Sequence, residues 1–325
     1  MKPPVKTRTA RPRPGANGDG EGESRVPARA WRAGPKSLAL FEEESRYLTP
    51  GLQTIALASK IALERASGSI LVDADGREYI DFVAGIGVAS IGHAHPDYVK
   101  AVSEQVARGS VGSFTTAGRL DFARRLASHA PGELRRVQLY SGGSEAVEAA
   151  LRLAKSRTKG YEIVSFWGGF HGKTGGVLGL LGSDFKFGLG PLMPGVYLSP
   201  YPDPYRCPFG ATGEHDCAAH CLEFLRKKLK TETAGALAAV IAEPVQGTAG
   251  NVIPPKGFLA GIRDIARERG ALWISDEMIC GFGRTGRWFG CQHEDGASPD
   301  ILTIGKGMAA GFPVSGVVTT EEIAK

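Results

Sequence analysis

Long apolar runs are missing from this 325-residue chain. Its longest, such as Leu237–Ala242, fall well short of the ~20 residues that cross a bilayer, so no membrane span is expected. Cysteine is scarce: five residues, an odd number, with no spacing that reads as a disulfide framework, so reduced thiols are expected. Cys207, Cys217 and Cys221 with His215 and His220 are the residue types of a zinc site. They lack paired C-x-x-C spacing, however, and Cys221 opens an apolar helix face with Phe224 and Leu225, so no metal is expected. Net charge is also scarce once the first 34 residues are set aside. They hold eight Lys/Arg against three Asp/Glu, and this excess equals the +5 of the whole chain. This Pro- and Gly-rich tail, 1–34, has too little apolar surface to offset the entropy of ordering and is expected to be disordered and solvated. A basic tail can touch nucleic acid or anionic lipid, but a solvated extension is the simpler reading, so neither a nucleic-acid nor a membrane partner is expected. No apolar signal region is visible, and Asp19, Glu21 and Glu23 argue against a transit peptide, so a cytoplasmic protein is expected.

What is present is a globular composition, 42% hydrophobic with 45 glycines. From Ser69 to Phe82 polar and apolar residues alternate around Asp75-Gly76, which predicts a hairpin. Beyond it, short apolar runs alternate with helical patterns. Strands are expected at Val137 to Tyr140, Ile163 to Phe166, Leu237 to Ala242, Leu272 to Ser275, Ile301 to Ile304 and Gly316 to Thr319. Helices are expected at Ser144 to Arg157, with Val147, Ala150, Leu151 and Ala154 on one face, and at Phe258 to Arg269. Apolar strands separated by amphipathic helices predict an α/β fold with a mostly parallel sheet covered on both faces. Such sheets bind ligands at the carboxyl ends of their strands.

Four of those ends carry chemistry. Ser141-Gly142-Gly143-Ser144 leads into a helix, where free N–H groups and the helix dipole seat a phosphate, or where Ser144 makes an ordinary cap. In Trp167-Gly168-Gly169-Phe170-His171-Gly172, Phe170 between small residues suits a flat ligand, although a core Phe and a structural His fit the same pattern. Asp276 ends a buried strand and needs a partner, either a protonated ring nitrogen or an Arg such as Arg284. Lys306 sits between two glycines at a strand end, where shielding from water depresses its pKa and makes it a nucleophile toward aldehydes. Together they provide a phosphate cradle, a stacking ring, a carboxylate for a pyridinium and an aldehyde-capturing lysine, which is what pyridoxal 5'-phosphate requires. Gly281 to Gly286 matches the dinucleotide-binding G-x-G-x-x-G, but it is separated from its strand and is followed by no amphipathic helix pattern.

With these residues assembled, the chain resembles the class III (ω-type) pyridoxal-phosphate aminotransferases from about Ser37 to its end. The blocks that carry the likeness are YSGGSEAVEAALRLAK, FHGKTGG, AEPVQGTAGNVIPP, DEMICGFGRTGRWFG and PDILTIGKGMAAGFP, and the spacing from Asp276 to Lys306 matches the family signature. The resemblance implies a fold type I large domain with a smaller one. It divides the chain into the tail 1–34, a segment 35–92 contributing to the small domain, and a cofactor-binding domain 93–325. Lys306 would be the Schiff-base residue, Asp276 the partner of the ring nitrogen, Gly142, Gly143 and Ser144 the phosphate seat, and Phe170 the stacking ring with His171 beside it. Glu243 would lie near the substrate. Ile279 stands where several members have a Gln, which puts that contact in doubt.

The implied activity is ping-pong transfer of an amino group from an amine or ω-amino acid to a 2-oxo acid, by a homodimer. The form of DEMICGFGRTG is closer to amine- or 4-aminobutyrate-processing members, and YRCPFG followed by a cysteine-containing helix looks like a variant among 4-aminobutyrate aminotransferase-like sequences. The alternatives are a racemase or aminomutase using the same cofactor, or an inactive cofactor-binding chain. Family members continue for roughly another domain-sized stretch past the lysine, so the C-terminal small domain is expected to be absent.

Overall fold

The computed structural model describes residues 32–49, 54–109 and 112–325. Residues 1–31 of the expected tail lie outside the described residues. The chain divides into two compact units, one of the described residues through Glu64 with Asp73–Arg77, the other of Arg65–Val72 with Glu78–Lys325.

In the first unit, the helix Pro35–Glu44 starts with a proline, whose fixed φ suits the first turn. No side chain of its own caps it. Instead the Asp75 carboxylate accepts from the Lys36 and Ser37 N–H groups, both at 2.9 Å, which satisfies two otherwise unpaired donors. Gly76 follows at φ 79°, the left-handed turn that Asp75-Gly76 signalled.

In the second unit, strand β1 (Leu63–Ser67) contributes from Arg65, and β2 (Ile70–Asp73) pairs antiparallel with β3 (Glu78–Ile80), Ile70 facing Ile80 and Val72 facing Glu78. The main sheet follows: β4 (Arg136–Tyr140), β5 (Glu162–Phe166), β6 (Val196–Ser199), β7 (Leu237–Ala242), β8 (Leu272–Asp276), β9 (Ile301–Ile304) and β10 (Ser315–Thr319). Their spatial order is β4-β10-β9-β8-β7-β5-β6. Pairs β5/β6, β5/β7, β7/β8 and β8/β9 are parallel, and β10 alone runs against its neighbours β9 and β4. The expected mostly parallel α/β sheet is therefore what forms, with one reversed strand inserted beside β9.

Both faces of this sheet are covered, which explains why its central strands read as apolar runs with little alternation. Successive residues point to opposite sides. Ile163, Ala239, Ile241 and Ile274 pack with Val147, Ala150, Leu151 and Ala154 of the helix Gly143–Thr158. Val164, Phe166, Val240 and Trp273 pack with Leu225 of the helix Glu214–Glu232 and with Phe258 and Ile262 of the helix Phe258–Glu268. Each buried Val, Leu, Ile or Phe among them is worth about 1.5–3 kcal/mol, so the two layers hold the strands in place. Beyond the sequence expectation are β6 and the helices Pro96–Arg108 and Ala117–His129. Among the described residues no helix is long and apolar enough to cross a membrane.

Candidate active site

The carboxyl ends of β4, β5, β7, β8 and β9 open on one cavity of about 330 Å³. Gly143, Ser144, Phe170, His171, Glu243, Asp276 and Lys306 all line it, so seven of the eight residues singled out from sequence meet in one place. Ile279 lines it as well. Gly142 is the exception. Its N–H donates to Glu145 Oε2 at 2.7 Å and its carbonyl accepts from the Ser315 hydroxyl at 2.7 Å, so it serves the turn and does not line the cavity.

The turn after β4 follows from Glu145. Its carboxylate accepts from the Ser141 and Gly142 N–H groups, and an acidic side chain in a first helical turn also suits the macrodipole. Ser144 is thereby relieved of capping, and its hydroxyl accepts from the Lys173 N–H at 3.1 Å. Gly172, at φ 118°, is needed for that approach, since a Cβ there would collide with the Ser144 hydroxyl. The first N–H groups of the helix, at Gly143 and Ser144, remain without an intrahelical partner, as at any helix start.

At the next ends lies a group of buried charges. Asp276, 1% exposed, accepts from His171 Nδ1 at 2.7 Å, from the Thr303 hydroxyl at 3.0 Å and from the Met278 N–H at 3.1 Å. The alternative partner Arg284 is elsewhere, its guanidinium 3.3 Å from the Ser90 hydroxyl. Burial opposes an imidazolium at His171, but the Asp276 hydrogen bond and the charges of Asp276 and Glu243 outweigh it and raise its pKa. Its other nitrogen, Nε2, is buried without a hydrogen-bond partner. Glu243 accepts from the Phe170 N–H at 2.9 Å and the Gly247 N–H at 3.3 Å. Burial nevertheless pushes it up to about 7, with His171 opposing.

Lys306 follows the fully buried β9 and adopts φ 44°, an uncommon conformation for a non-glycine residue. Burial lowers its pKa against the pull of Asp276 and Glu243. The side chain is only partly exposed, and this shielding from water disfavours the charged form of the amine.

Two features escaped the sequence reading. Thr303, one strand over from Asp276, holds that carboxylate, and an apolar strand pattern gives no sign of it. Glu277 is fully buried away from the cavity, accepting from the Gly290 and Cys291 N–H groups at 2.7 and 2.9 Å and from the Ser275 hydroxyl at 3.0 Å. Burial raises its pKa despite these donors. As for the dinucleotide motif, Gly281 to Gly286 lies in turns, and only the short 3₁₀ segment Gly290–His293 follows.

A mostly parallel seven-stranded sheet between helical layers, with a lysine and a carboxylate at neighbouring strand ends, defines the fold type I class of pyridoxal-phosphate enzymes. Within it the chain belongs to the class-III aminotransferase family, whose model matches residues 54–325. It is 35% identical over 268 residues to a probable 4-aminobutyrate aminotransferase of Bacillus subtilis, covering 80% of this chain and 61% of that protein. It is 35% identical over 300 residues to an alanine/serine racemase of Pyrococcus horikoshii, covering 89% and 63%. An amine transaminase structure from an uncultivated Pseudomonas species, in its PLP-bound form, superposes with a TM-score of 0.79 at 30% identity, covering 86% of this chain and 66% of that one. The chain thus spans somewhat less than two thirds of the length of these curated relatives.

Proposed function

We propose that this chain transfers an amino group from an amine or ω-amino acid donor to a 2-oxo acid with pyridoxal 5'-phosphate, in two half-reactions at the cavity around Lys306. The observation that carries the reading is the meeting of Lys306, Asp276 and the Gly143-Ser144 helix start in one cavity. The residues present fit the cofactor. Asp276 and Glu243 are two buried carboxylates that share one cavity, with the buried His171 imidazole between their charges. A cationic ring nitrogen relieves that imbalance. The orphaned His171 Nε2 is a buried polar atom in want of a ligand atom, and the N–H groups of Gly143 and Ser144 suit a phosphate.

When bound, the cofactor supplies an aldehyde that captures amines and a cationic ring that takes up the electron pair of the substrate carbanion. The chain's residues do the rest. Asp276, held by His171 and Thr303, keeps the ring nitrogen protonated. Lys306 Nζ, its pKa lowered by burial, takes a proton from the substrate carbon and returns it. Glu243 lines the same cavity as Lys306 with a pKa near neutrality, where a carboxyl changes charge most readily. Phe170 and Ile279 line the cavity and would offer the cofactor apolar surface.

The 4-aminobutyrate aminotransferase relative supports an ω-amino acid donor, and a homodimer, a cytoplasmic setting with five free thiols, and the division into 35–92 and 93–325 belong to the same proposal. The test is a donor panel of 4-aminobutyrate, acetylornithine, diamines and simple amines, each with and without a 2-oxo acid, alongside borohydride trapping of the cofactor on the chain. Acceptor-dependent product with trapping at Lys306 is the expected result. The racemase relative favours a second reading, for which inversion of an amino acid without any acceptor is the signature.

A further inference from the structure

The turn between β9 and β10 carries Lys306 and forms part of the cavity wall, with Gly305, Phe312 and Pro313 beside the lysine. This turn is strained twice. Lys306 at φ 44° and Ala310 at φ 48° both occupy the left-handed region without being glycine. A strained conformation persists only where its surroundings over-determine it. Pairing of β9 with β10, Gly316 facing Ile304, fixes the ends of the turn but not the path between them. Inside the turn the Met308 N–H donates to the Gly305 carbonyl at 3.0 Å and the Ala309 N–H to the Lys306 carbonyl at 3.3 Å.

Further restraint comes from a segment far away in sequence. The Tyr98 hydroxyl donates to the Ala309 carbonyl at 2.9 Å, across 211 residues of chain. Ala309 lies between the two strained residues. Other side chains of the same segment run along the turn. A Cβ on Gly307 would come within 2.6 Å of Ser90 Oγ, and one on Gly311 within 3.8 Å of Val88 Cγ1. Val88 also lines the cavity. In the helix Pro96–Arg108 no residue is fully buried, and Tyr98 and Val102 alone are half-buried, so Tyr98 is also where this helix is held. The target of the hydroxyl is informative. The Ala309 carbonyl already accepts from the Phe312 N–H at 3.0 Å, so the Tyr98 bond does not rescue an unpaired group. What it adds is a fixed position for the middle of the turn.

We propose that Tyr98 is a positioning residue for Lys306: its hydroxyl, on the Ala309 carbonyl, holds the turn between β9 and β10 in the strained path that presents the amine to the cavity. The inference rests on Lys306 being the residue that captures the cofactor. Without the hydroxyl, positions 306 and 310 relax toward ordinary φ values, and the amine meets the cavity in its productive geometry for a smaller share of the time.

The test compares the wild-type chain with Tyr98→Phe, which deletes one oxygen, and with the double variant Tyr98→Phe/Ala310→Gly, which also removes the strain at position 310. One readout is amide hydrogen exchange of the peptide covering 305–314 in the cofactor-free full chain. The other is the rate at which borohydride traps pyridoxal 5'-phosphate on Lys306. In Tyr98→Phe exchange at 305–314 should quicken while β8 and the urea midpoint stay near wild type. Trapping should slow by about 2- to 10-fold, the worth of one hydrogen bond. The double variant should restore both. Unchanged exchange in the turn overturns the proposal, as does quicker exchange with trapping unchanged. So does slowing that the double variant fails to relieve, or exchange that rises over the whole sheet, the mark of a purely structural contact. Should Tyr98→Phe fail to fold, the wild-type chain decides. In rising urea the turn should lose protection together with the helix Pro96–Arg108 and before β9, and a turn still protected once that helix has opened overturns the tether. A wild-type chain that traps no cofactor on Lys306 defeats the amino-transfer reading instead, and the exchange comparison still decides whether Tyr98 holds the turn.

Discussion

His171 Nδ1 lies 2.7 Å from Asp276 Oδ2, with both side chains 1% exposed, yet the two residues do not depend on each other equally. Asp276 keeps the Thr303 and Met278 donors if the imidazole is lost. His171 keeps no partner if the carboxylate is lost, because its Nε2 has none. Asp276→Ala is therefore expected to cost about 3–5 kcal/mol of stability, the penalty of breaking a buried pair. His171→Ala is expected to cost less through this contact, about 1–3 kcal/mol. Urea unfolding of both variants checks the order, and equal losses would contradict it.

Lys306 combines two properties that one substitution separates. Its φ of 44° is strained for any side chain with a Cβ, so Lys306→Gly is expected to raise stability by about 1 kcal/mol. The same change removes the amine, so borohydride trapping should vanish and amino transfer should fall by about 10²–10⁴-fold or more. A thermal melt run beside the trapping assay reads both. Retention of the trapped adduct would place the covalent link on another lysine.

The stability of the cofactor-free chain should fall as pH rises through neutrality. Glu243 titrates from 4.5 when unfolded to about 7 when folded. The folded chain therefore holds a proton there that the unfolded chain gives up. That contribution is complete below about pH 4.5 and is lost as pH rises through about 7, an effect on the order of 3 kcal/mol. His171, with its pKa raised above 6.5, acts in the same direction. Glu243→Gln should flatten the profile between pH 5 and 8. A slope unchanged by that substitution would assign the proton to another group.

Sequence and structure agree most closely where burial is two-sided. The runs at β5, β7, β8 and β9 were legible because a strand covered on both faces is apolar at successive positions, with only a few buried polar residues such as Ser165 and Thr303 among them, and ligands gather at the carboxyl ends of such strands. The short β6 gave no comparable signal, since its four residues sit among glycines and prolines and three are only half-buried. The site was less legible than the scaffold. Gly142 looked equivalent to Gly143, and only the reach of Glu145 back to its N–H separates them. For Asp276 the sequence offered a ligand nitrogen or Arg284; Arg284 lies elsewhere, and the imidazole from the segment after β5 that reaches this carboxylate left no sign in the strand pattern.

Glu277, adjacent to Asp276 in sequence, is expected to matter for folding and not for chemistry. Its carboxylate satisfies two backbone N–H groups and a hydroxyl, all buried. Glu277→Ala leaves those donors unpaired at about 1–3 kcal/mol each, so the variant should be strongly destabilised. Glu277→Gln keeps an acceptor oxygen and should lose less. Measured on the folded fraction at low temperature, cofactor affinity should stay near wild type in both.

The reversal of β10 bears on how the lysine reaches its place. Residues 305–314 are the whole connection between β9 and β10, and the two strands pair directly on either side of it. Each parallel neighbour in the sheet requires a crossover with its own helix or long loop, whereas the segment bearing Lys306 closes over a short stretch of chain. Its loop-closure entropy is correspondingly small. The nucleophile is thereby fixed by local pairing, and its position is insulated from how well the distant crossovers are formed.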